Sequence, residues 1–300
     1  MSFKSVVSIG LPVYNGEQFL ENRLESILSQ TQSNFEVIIS DNASTDATQD
    51  ICEELAKKDK RIRYIRQKKN MGSEWNFNFV LKEAKSDYFV WAAADDLWYP
   101  TFLEKNIDAL ESKKNFVGSI SRIQYDVVTR TSKSRLINFL MTLIRKITYR
   151  RRYQQISPML GSYGKKVRLY FKNPMSFSSM IYGVYRTKSL RQAFITGPFV
   201  ADDWATNLEI LKHGDYNIVE EDLMFRSTYG QSSKGVLGLS RQFNNRFVEY
   251  IFPLLPFFIW CSKNLGWRIL LRNLDYIFLI NYNYLGSQFI EILRMVRHRV

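Results

Sequence analysis

Residues 6–16 have the sequence VVSIGLPVYNG, and this stretch decides the fold. Its first part, Val6 to Leu11, is dominated by β-branched and apolar residues, which is typical of a strand buried on both faces of a parallel sheet. The apolar residues that follow recur at helical spacing at Leu20, Leu24, Ile27 and Leu28. The chain is therefore predicted to open with a buried strand followed by an amphipathic helix.

The same order of strand and helix repeats along the first third of the chain. Further strands are predicted at Phe35–Ser40, Ile62–Ile65 and Tyr88–Ala93. Helices are predicted after Asp46, around Trp75–Val80, and from Pro100 to Leu110. Repeated units of this kind imply right-handed crossovers and an α/β fold with a mostly parallel central sheet flanked by helices. Ligands of such sheets bind at the carboxyl ends of the strands, so the chemistry is expected there.

Cysteine usage and the N-terminus indicate the compartment. The two cysteines, Cys52 and Cys261, are far apart and lack the spacing of a disulfide framework or a metal knuckle. Residues 1–11 contain no apolar core followed by a small-residue cleavage site. No window reaches the roughly 20 apolar residues that a membrane-spanning helix needs. We therefore expect a cytoplasmic protein.

Acidic side chains follow two of the predicted strands. Asp41 comes directly after the strand that ends at Ser40, and the pair Asp95 and Asp96 follows the strand that ends near Ala93. A divalent cation held by carboxylates, Mg²⁺ or Mn²⁺, would neutralise a diphosphate leaving group at such a place. The alternative is that these acids only cap a turn or the helix that follows.

Four motifs occur in an order and spacing that resemble the family 2 glycosyltransferases. They are Ser8 to Gly16, Ser40 to Asp46, Asn70 to Gly72 with Asn78 nearby, and Ala94 to Asp96. The resemblance implies a GT-A-like nucleotide-binding fold and a nucleotide-diphosphate sugar as donor. It also implies metal-dependent, inverting transfer of a hexose or deoxyhexose to a hydroxyl of a glycan acceptor, in the synthesis of bacterial cell-surface polysaccharide.

The resemblance also assigns roles to particular residues. The residues that would bind the nucleotide sugar are Pro12, Val13, Tyr14, Asn15, Asp41, Asn70, Gly72, Asn78, Asp95 and Arg226. Asp96 would ligate the metal, with help from Asp95. Asp203 would be the general base on the acceptor hydroxyl, and Asp202 would orient it. Asp202 and Asp203 are also suited to cap the predicted helix Trp204–Lys212, and both roles can hold together.

This chain departs from the family pattern at four positions. It has Asn42, Ala93 and Phe77 where the family often has an acid, an acid and an arginine, and it has Tyr229 where a histidine is common in a late loop, residues 226–232. A non-catalytic nucleotide-sugar-binding or scaffold subunit of a membrane glycan-assembly complex is therefore the alternative function.

The positive charge lies mainly in the second half of the chain. The net charge is +13, and the stretch between Asp126 and Asp202 has fifteen Lys and Arg with no Asp or Glu. Apolar residues from Leu136 to Ile147 fall on one helical face beside basic residues, which is typical of a helix at a membrane surface. Peripheral contact with the anionic inner face of the cell membrane is therefore predicted, with a polyprenyl-diphosphate-linked glycan as acceptor.

The C-terminal tail carries a second cluster of aromatic and basic residues. Its aromatic members include Phe252, Phe257, Phe258, Trp260 and Trp267. They predict membrane association, and a homodimer interface or a second core has nearly equal weight. Nucleic-acid binding is not predicted, because it would leave the acids after the strands unexplained.

The predicted organisation has four parts. These are a nucleotide-sugar-binding α/β half, a basic amphipathic insertion, an acceptor-side half of the catalytic domain and a helical C-terminal region, at residues 1–125, 126–179, 180–235 and 236–300.

Overall fold

The strand predicted from Val6 to Leu11 is the centre of the N-terminal half of the sheet. The computed structural model describes residues 6–93, 96–125, 156–197, 199–226, 238, 248–249 and 252–297. Its strands are β1 (Val7–Val13), β2 (Phe35–Asp41), β3 (Ile62–Arg66), β4 (Tyr88–Trp91), β5 (Asp96–Trp98), β6 (Phe116–Tyr125), β7 (Val184–Arg186) and β8 (Asp215–Arg226). In the described residues they form one sheet in the order β3-β2-β1-β4-β7-β6-β8-β5.

The N-terminal half of the sheet is parallel, as the sequence predicts. β1 pairs in parallel with β2 on one side and β4 on the other, and β2 pairs in parallel with β3. Ile9 and Leu11 on β1 are completely buried, as is Val37 on β2. The unbroken apolar runs are therefore explained by helices on both faces of the sheet. The register places Val13 opposite Asp41, so β1 and β2 end side by side.

The rest of the sheet is mixed. β7 is antiparallel to both β4 and β6, β6 is parallel to β8, and β5 is antiparallel to β8. The prediction of a mostly parallel sheet therefore describes β1 to β4 better than the C-terminal half. Asp96, predicted to lie in a loop after a strand, is the first residue of β5 and pairs with Arg226 at the end of β8.

Helices connect and cover the strands. Those of the N-terminal half are α1 (Leu20–Leu28), α2 (Thr48–Lys58), α3 (Ser73–Glu83) and α4 (Phe102–Ser112). The later ones are α5 (Tyr163–Lys172), α6 (Pro174–Phe177), α7 (Thr187–Ala193), α8 (Asp202–His213), α9 (Leu255–Asn264), α10 (Trp267–Leu271) and α11 (Leu274–Arg297), with a 3₁₀ helix at Ser178–Tyr182. Pro100 was predicted as the first helical residue, but α4 begins two residues later. Helix ends commonly differ by this much.

The C-terminal helix α9 belongs to the core. Phe257 is completely buried, with its ring 5.6 Å from Trp204 of α8 and 6.3 Å from Phe171 of α5. At this helix the tail therefore extends the core of the strands and does not form a second core of its own. Trp267, in contrast, is 67% exposed.

Two predicted features cannot be compared with the structure. The basic amphipathic helix around Leu136–Ile147 and the late loop that contains Tyr229 lie outside the described residues. Within the parts of the chain that are described, none of the helices has the length and apolar character needed to cross a bilayer.

Candidate functional site

The loops that follow β1 and β2 are joined by hydrogen bonds into one wall. The backbone N–H of Asn15 donates to Ser44 Oγ at 2.9 Å, and Asn15 Oδ1 accepts from the backbone N–H of Thr45 at 2.8 Å. The N–H of Gly16 donates to Thr48 Oγ1 at 2.8 Å. Asn15 has a φ of 52°, in the left-handed region that asparagine tolerates well. The turn is therefore held in one conformation by the neighbouring loop.

The predicted donor-binding residues at the end of β1 have different surroundings. Pro12 and Val13 are part of the strand, and Val13 is buried. Tyr14 is 48% exposed at the mouth of the loop. Of these residues, Tyr14 and Asn15 are therefore the ones that a nucleotide can reach most directly.

Asp41 is buried at the end of β2 and is held by three protein donors. Its Oδ1 accepts from the backbone N–H of Ser44 at 2.8 Å, and its Oδ2 accepts from Tyr64 Oη at 2.9 Å and Arg66 Nη1 at 2.7 Å. Burial, followed by the bond to Asp41, raises the pKa of Tyr64, so the phenol stays protonated. Asp41 therefore organises the loop and the ion pair with Arg66 at the edge of the site.

Asn42 fixes the loop of residues 70–72. Its side-chain amide donates to Asn70 Oδ1 and to the backbone carbonyl of Gly72, both at 3.0 Å. Its Oδ1 accepts from the backbone N–H of Met71 at 2.9 Å. A carboxylate cannot make the two donor bonds. The family acid is therefore replaced here by a residue with a definite structural role, which was not recognised from the sequence.

Helix α3 carries a second asparagine, which no motif of the sequence singles out. Asn76 is buried, and its amide donates to the Ser40 carbonyl at 2.9 Å. Asn78, the predicted ligand contact, is partly buried on the same helix. Phe77, at the position where the family often has arginine, lies 6.0 Å from Trp91, ring to ring. The amide nitrogen of Asn76 also lies 3.5 Å from the Val13 carbonyl oxygen, so this side chain joins α3 to the ends of both β1 and β2.

Asp96 and Arg226 form an ion pair across β5 and β8. The Nε of Arg226 lies 3.1 Å from one carboxylate oxygen of Asp96 and 3.3 Å from the other. The guanidinium group also lies 4.0 Å from the centre of the Tyr182 ring. The pair is buried at the Asp96 end, where the side chain is 1% exposed. The antiparallel pairing of β5 with β8, which the sequence did not predict, brings these two predicted residues together.

Asp202 and Asp203 are the first two residues of α8. The preceding residue, Ala201, has a φ of 72°, and the backbone N–H of Asp203 donates to Asp202 Oδ1 at 2.8 Å. Burial, with a smaller contribution from Glu74, raises the pKa of Asp202 to about 6. Burial and the charge of Asp202 raise the pKa of Asp203 to about 7, against the lowering effect of Arg226. A carboxylate with a pKa near neutrality is well matched to general-base chemistry.

These interactions bring Asp96 and Arg226 near the two acids at the start of α8. Arg226 forms the ion pair with Asp96 and also lowers the pKa of Asp203. Glu74, in the first turn of α3, raises the pKa of Asp202. Acids with raised pKa beside a cation are characteristic of functional sites. Asp95 lies outside the described residues, so its position stays a prediction.

The residues present fit a divalent cation in the type of donor atom. Mg²⁺ and Mn²⁺ prefer carboxylate oxygens and are commonly held by one or two carboxylates together with substrate phosphates. Asp96 offers such a group, which is shared with Arg226. Across the described ranges there is no cluster of three or more His, Cys, Asp or Glu side chains that could hold a metal by themselves.

Sequence comparison identifies the family. Residues 8–176 match the sequence profile of Glycosyl transferase family 2. TuaG of Bacillus subtilis, named for a glycosyltransferase of teichuronic acid biosynthesis, is 34% identical over 107 residues, which are 36% of this chain and 42% of TuaG. EpsE of the same organism, also named as a glycosyltransferase, is 38% identical over 111 residues, 37% of this chain and 40% of EpsE. The match spans less than half the length of either relative.

Solved structures share the fold. The mannosyltransferase PcManGT of Pyrobaculum calidifontis, in complex with GDP-Man and Mn²⁺, superposes with a TM-score of 0.58 at 17% identity, covering 95% of this chain and 73% of PcManGT. S. aureus TarS 1-349 with UDP-GlcNAc gives a TM-score of 0.56 at 17% identity, covering 86% of this chain and 73% of TarS 1-349. The expected GT-A-like fold is confirmed.

Proposed function

The chain belongs to glycosyl transferase family 2, and from this we propose that it transfers a sugar from a nucleotide-diphosphate donor to a hydroxyl of a glycan acceptor. The observation that carries the proposal is the partly buried carboxylate of Asp203, which stands in the first turn of α8 and whose pKa is raised to about 7 beside Arg226 and Asp202. Its position at the first turn of α8 supports a general base that faces a charged donor site.

The donor side is supplied by the loops after β1 and β2 and by β8. Tyr14 and Asn15 would contact the nucleotide, with Asn70 and Gly72 held opposite by Asn42. Arg226 would stabilise the diphosphate as negative charge develops on it in the transition state. Asp96, with Asp95, would hold a Mg²⁺ or Mn²⁺ ion, and this ion would neutralise the departing diphosphate.

Asp203 would take the proton of the acceptor hydroxyl as the acceptor oxygen attacks the anomeric carbon. An attack from the side opposite the diphosphate inverts the configuration at that carbon. Asp202 raises the basicity of Asp203 through its own charge. Arg226 works in the opposite direction, so the affinity of Asp203 for a proton depends on where that guanidinium lies.

The acceptor we propose is a growing glycan on a polyprenyl diphosphate, at the inner face of the cell membrane. TuaG is named for teichuronic acid biosynthesis, which supports a role in cell-surface polysaccharide synthesis. A lipid-linked acceptor requires the enzyme to work close to an anionic leaflet, which agrees with the surplus of Lys and Arg in the chain.

The decisive experiment separates donor binding from transfer. The Asp203→Asn variant should bind UDP- or GDP-sugars in the presence of Mn²⁺ with the affinity of the parent, measured by calorimetry. Its rate of transfer should fall by about 10²- to 10⁴-fold, as expected when a general base is lost. Asp108→Asn, an exposed position on α4, is the matched control and should transfer at the parent rate.

Two outcomes would contradict the proposal. Full turnover by the Asp203→Asn variant would remove this residue from the mechanism. Donor binding by the parent without transfer to any of a broad panel of glycan acceptors would favour the non-catalytic subunit, which the replacement of acids by Asn42 and Ala93 suggests as the alternative.

A further inference from the structure

Helices α10 and α11 present large apolar side chains to solvent. Trp267 is 67% exposed and Leu271, four residues later, is 56% exposed. On α11, Phe278 is 71% and Tyr282 is 76% exposed, again four residues apart and therefore on one face of the helix. Single exposed apolar residues are ordinary, but a row of aromatic ones marks an interaction surface. We call these four side chains the C-terminal apolar row.

A basic cavity lies between α5 and the same two C-terminal helices, on a different side of α11 from Phe278 and Tyr282. It has a volume of about 510 Å³, and Lys165, Arg168, Lys172 and Arg272 contribute to its lining. Arg168 is already paired with Asp275 at 2.8 Å. The other three form no ion pair with any part of the chain that the structure describes. The cavity therefore has cationic side chains available for an anion.

Apolar atoms complete the cavity wall. Leu169, Ile269 and Tyr276 line it together with the basic residues, and Tyr276 lies under the guanidinium of Arg168 at 4.5 Å. A site that combines ammonium and guanidinium groups with an apolar wall matches an amphiphile that has an anionic head and an apolar body. A nucleic acid could stack bases on Trp267 and Phe278, but it would offer no apolar layer to Leu271.

We propose that this face of the protein, formed by α5, α10 and α11, docks on an anionic lipid bilayer. The phosphate of a lipid headgroup enters the cavity next to Lys165, Lys172 and Arg272. The C-terminal apolar row enters the boundary between headgroups and acyl chains, where aromatic side chains are favoured. Helix α11 thus lies along the membrane surface with its other face on the protein.

Helix α11 separates the proposed docking surface from the proposed catalytic base, Asp203. On the inner side of α11, Tyr284 packs against Trp204, with ring centres 6.0 Å apart, and Trp204 follows Asp203 directly. The diameter of an α-helix is about 10 Å. Docking would therefore hold Asp203 close to the lipid surface; this last step, unlike the docking itself, rests on the proposed transfer to a lipid-linked glycan.

Flotation with lipid vesicles tests the docking surface. The full chain should float with vesicles of an equimolar mixture of phosphatidylcholine and anionic phosphatidylglycerol, and should remain unbound with phosphatidylcholine alone. Lys165→Glu combined with Lys172→Glu should weaken binding by on the order of tenfold or more. Phe278→Asp should also weaken binding, whereas Phe278→Leu should retain it.

The control variant makes the same charge change elsewhere. Lys57 and Lys60, both exposed near the β3 edge of the sheet, would be replaced by Glu and should leave flotation unchanged. Equal losses in both double variants would show general attraction by a basic protein and overturn the proposal. Flotation of the Lys165 and Lys172 double variant at the parent level would also overturn it.

Light scattering and calorimetry distinguish membrane docking from self-association and from donor binding. If Phe278→Asp converts a dimer to a monomer in light scattering while the parent does not bind vesicles, the face joins two copies of the chain and the proposal is wrong. Calorimetric binding of nucleotide sugar should be unchanged in the charge-reversed variant. Failure of vesicle binding with intact donor binding refutes the docking surface alone, and leaves the proposed transfer reaction standing.

Discussion

The side-chain amide of Asn42 holds the loop of residues 70–72 because it can donate and accept hydrogen bonds at once. Its Oδ1 faces the Met71 N–H and its amide nitrogen faces the Gly72 carbonyl, so neighbouring backbone groups fix which end of the amide points where. The side chain is 2% exposed, so water cannot replace a lost partner. An acid at this position would keep the bond to Met71 and would bring a negative charge against two oxygen acceptors.

We therefore expect Asn42→Asp to destabilise the protein by about 1–3 kcal/mol, the cost of leaving buried polar groups unpaired. The KM for the sugar donor should rise, because the loop of residues 70–72 is released. Urea unfolding and steady-state kinetics measure the two effects. Asn34→Asp, an exposed position before β2, should change neither quantity. A fully stable Asn42→Asp variant would show that the loop does not depend on this side chain.

Asp203 gives a prediction on stability against pH. Its pKa is raised from the ordinary value of 3.8 to about 7, chiefly by burial, so the folded protein keeps a proton that the unfolded chain releases near pH 4. The contribution of this group to stability is therefore complete below about pH 4 and is lost as the pH rises towards 7. Asp203→Asn removes this dependence.

The stability of the Asp203→Asn variant relative to the parent should accordingly increase between pH 5 and pH 8. Urea unfolding of both proteins at the two pH values measures the difference, and Asp108→Asn serves as the control for an exposed acid. A constant difference between variant and parent would mean that Asp203 titrates in the folded protein near its ordinary pKa.

The sequence identified more of the candidate residues than of their partners. Asp41, Asp96, Asp203 and Arg226 stand in motifs that a single sequence displays. The partners of Asp41 could not be predicted, because Tyr64 and Arg66 reach it only through the pairing of β3 with β2. The raised pKa of Asp203 depends on burial, which motif spacing does not report.

Gly10 explains the packing of α3 on β1. A Cβ atom at this position would lie 2.6 Å from Phe89 Cζ and 2.7 Å from Val80 Cγ2, closer than such atoms can approach. Phe89 and Val80 are completely buried, so neither ring nor methyl group can move into solvent. Glycine is therefore required at position 10, because no side chain fits between β1 and the helix that packs on it.

Gly10→Ala should destabilise the protein by about 1–3 kcal/mol, as overpacking in a buried layer does. Gly286→Ala is the matched control, because a Cβ there meets nothing within 4 Å and lies in the middle of α11. Alanine at this second position should be neutral or stabilising by up to about 1 kcal/mol, from its higher helix propensity. Chemical unfolding distinguishes the two, and a neutral Gly10→Ala variant would show that α3 can shift away from β1.

At the level of elements, β1 to β4 were predictable and β5 to β8 were less so. The first four strands are separated by helices and carry unbroken apolar runs, so type and order follow from the sequence. β5 and β7 have three residues each, and their pairing with distant strands is antiparallel. A three-residue strand carries too little periodicity to be recognised, although β5 positions Asp96 for Arg226.

The C-terminal region contributes one set of side chains to the core of the molecule and leaves another set exposed on its surface. Leu254, Phe257, Cys261 and Leu265 are buried in the same core as the strands, while Trp267 and Phe278 are exposed. The sequence could not separate these groups, since the composition of the tail is apolar and aromatic throughout. The packing of α9 on α8 and α5 shows which side of the tail faces the core, and this packing is visible only in the structure.

Because α9 completes the core, a change in the tail should act on the whole protein. Phe257→Ala should lower the free energy of unfolding by about 3–5 kcal/mol, through lost burial and the cavity left beside Trp204. Phe278→Ala, which removes a ring that is 71% exposed, should change it by less than about 0.5 kcal/mol. Tryptophan fluorescence during urea unfolding measures both. A single transition that shifts as a unit in Phe257→Ala means that the tail and the catalytic domain unfold together, whereas a separate minor transition would make the C-terminal region an independent unit.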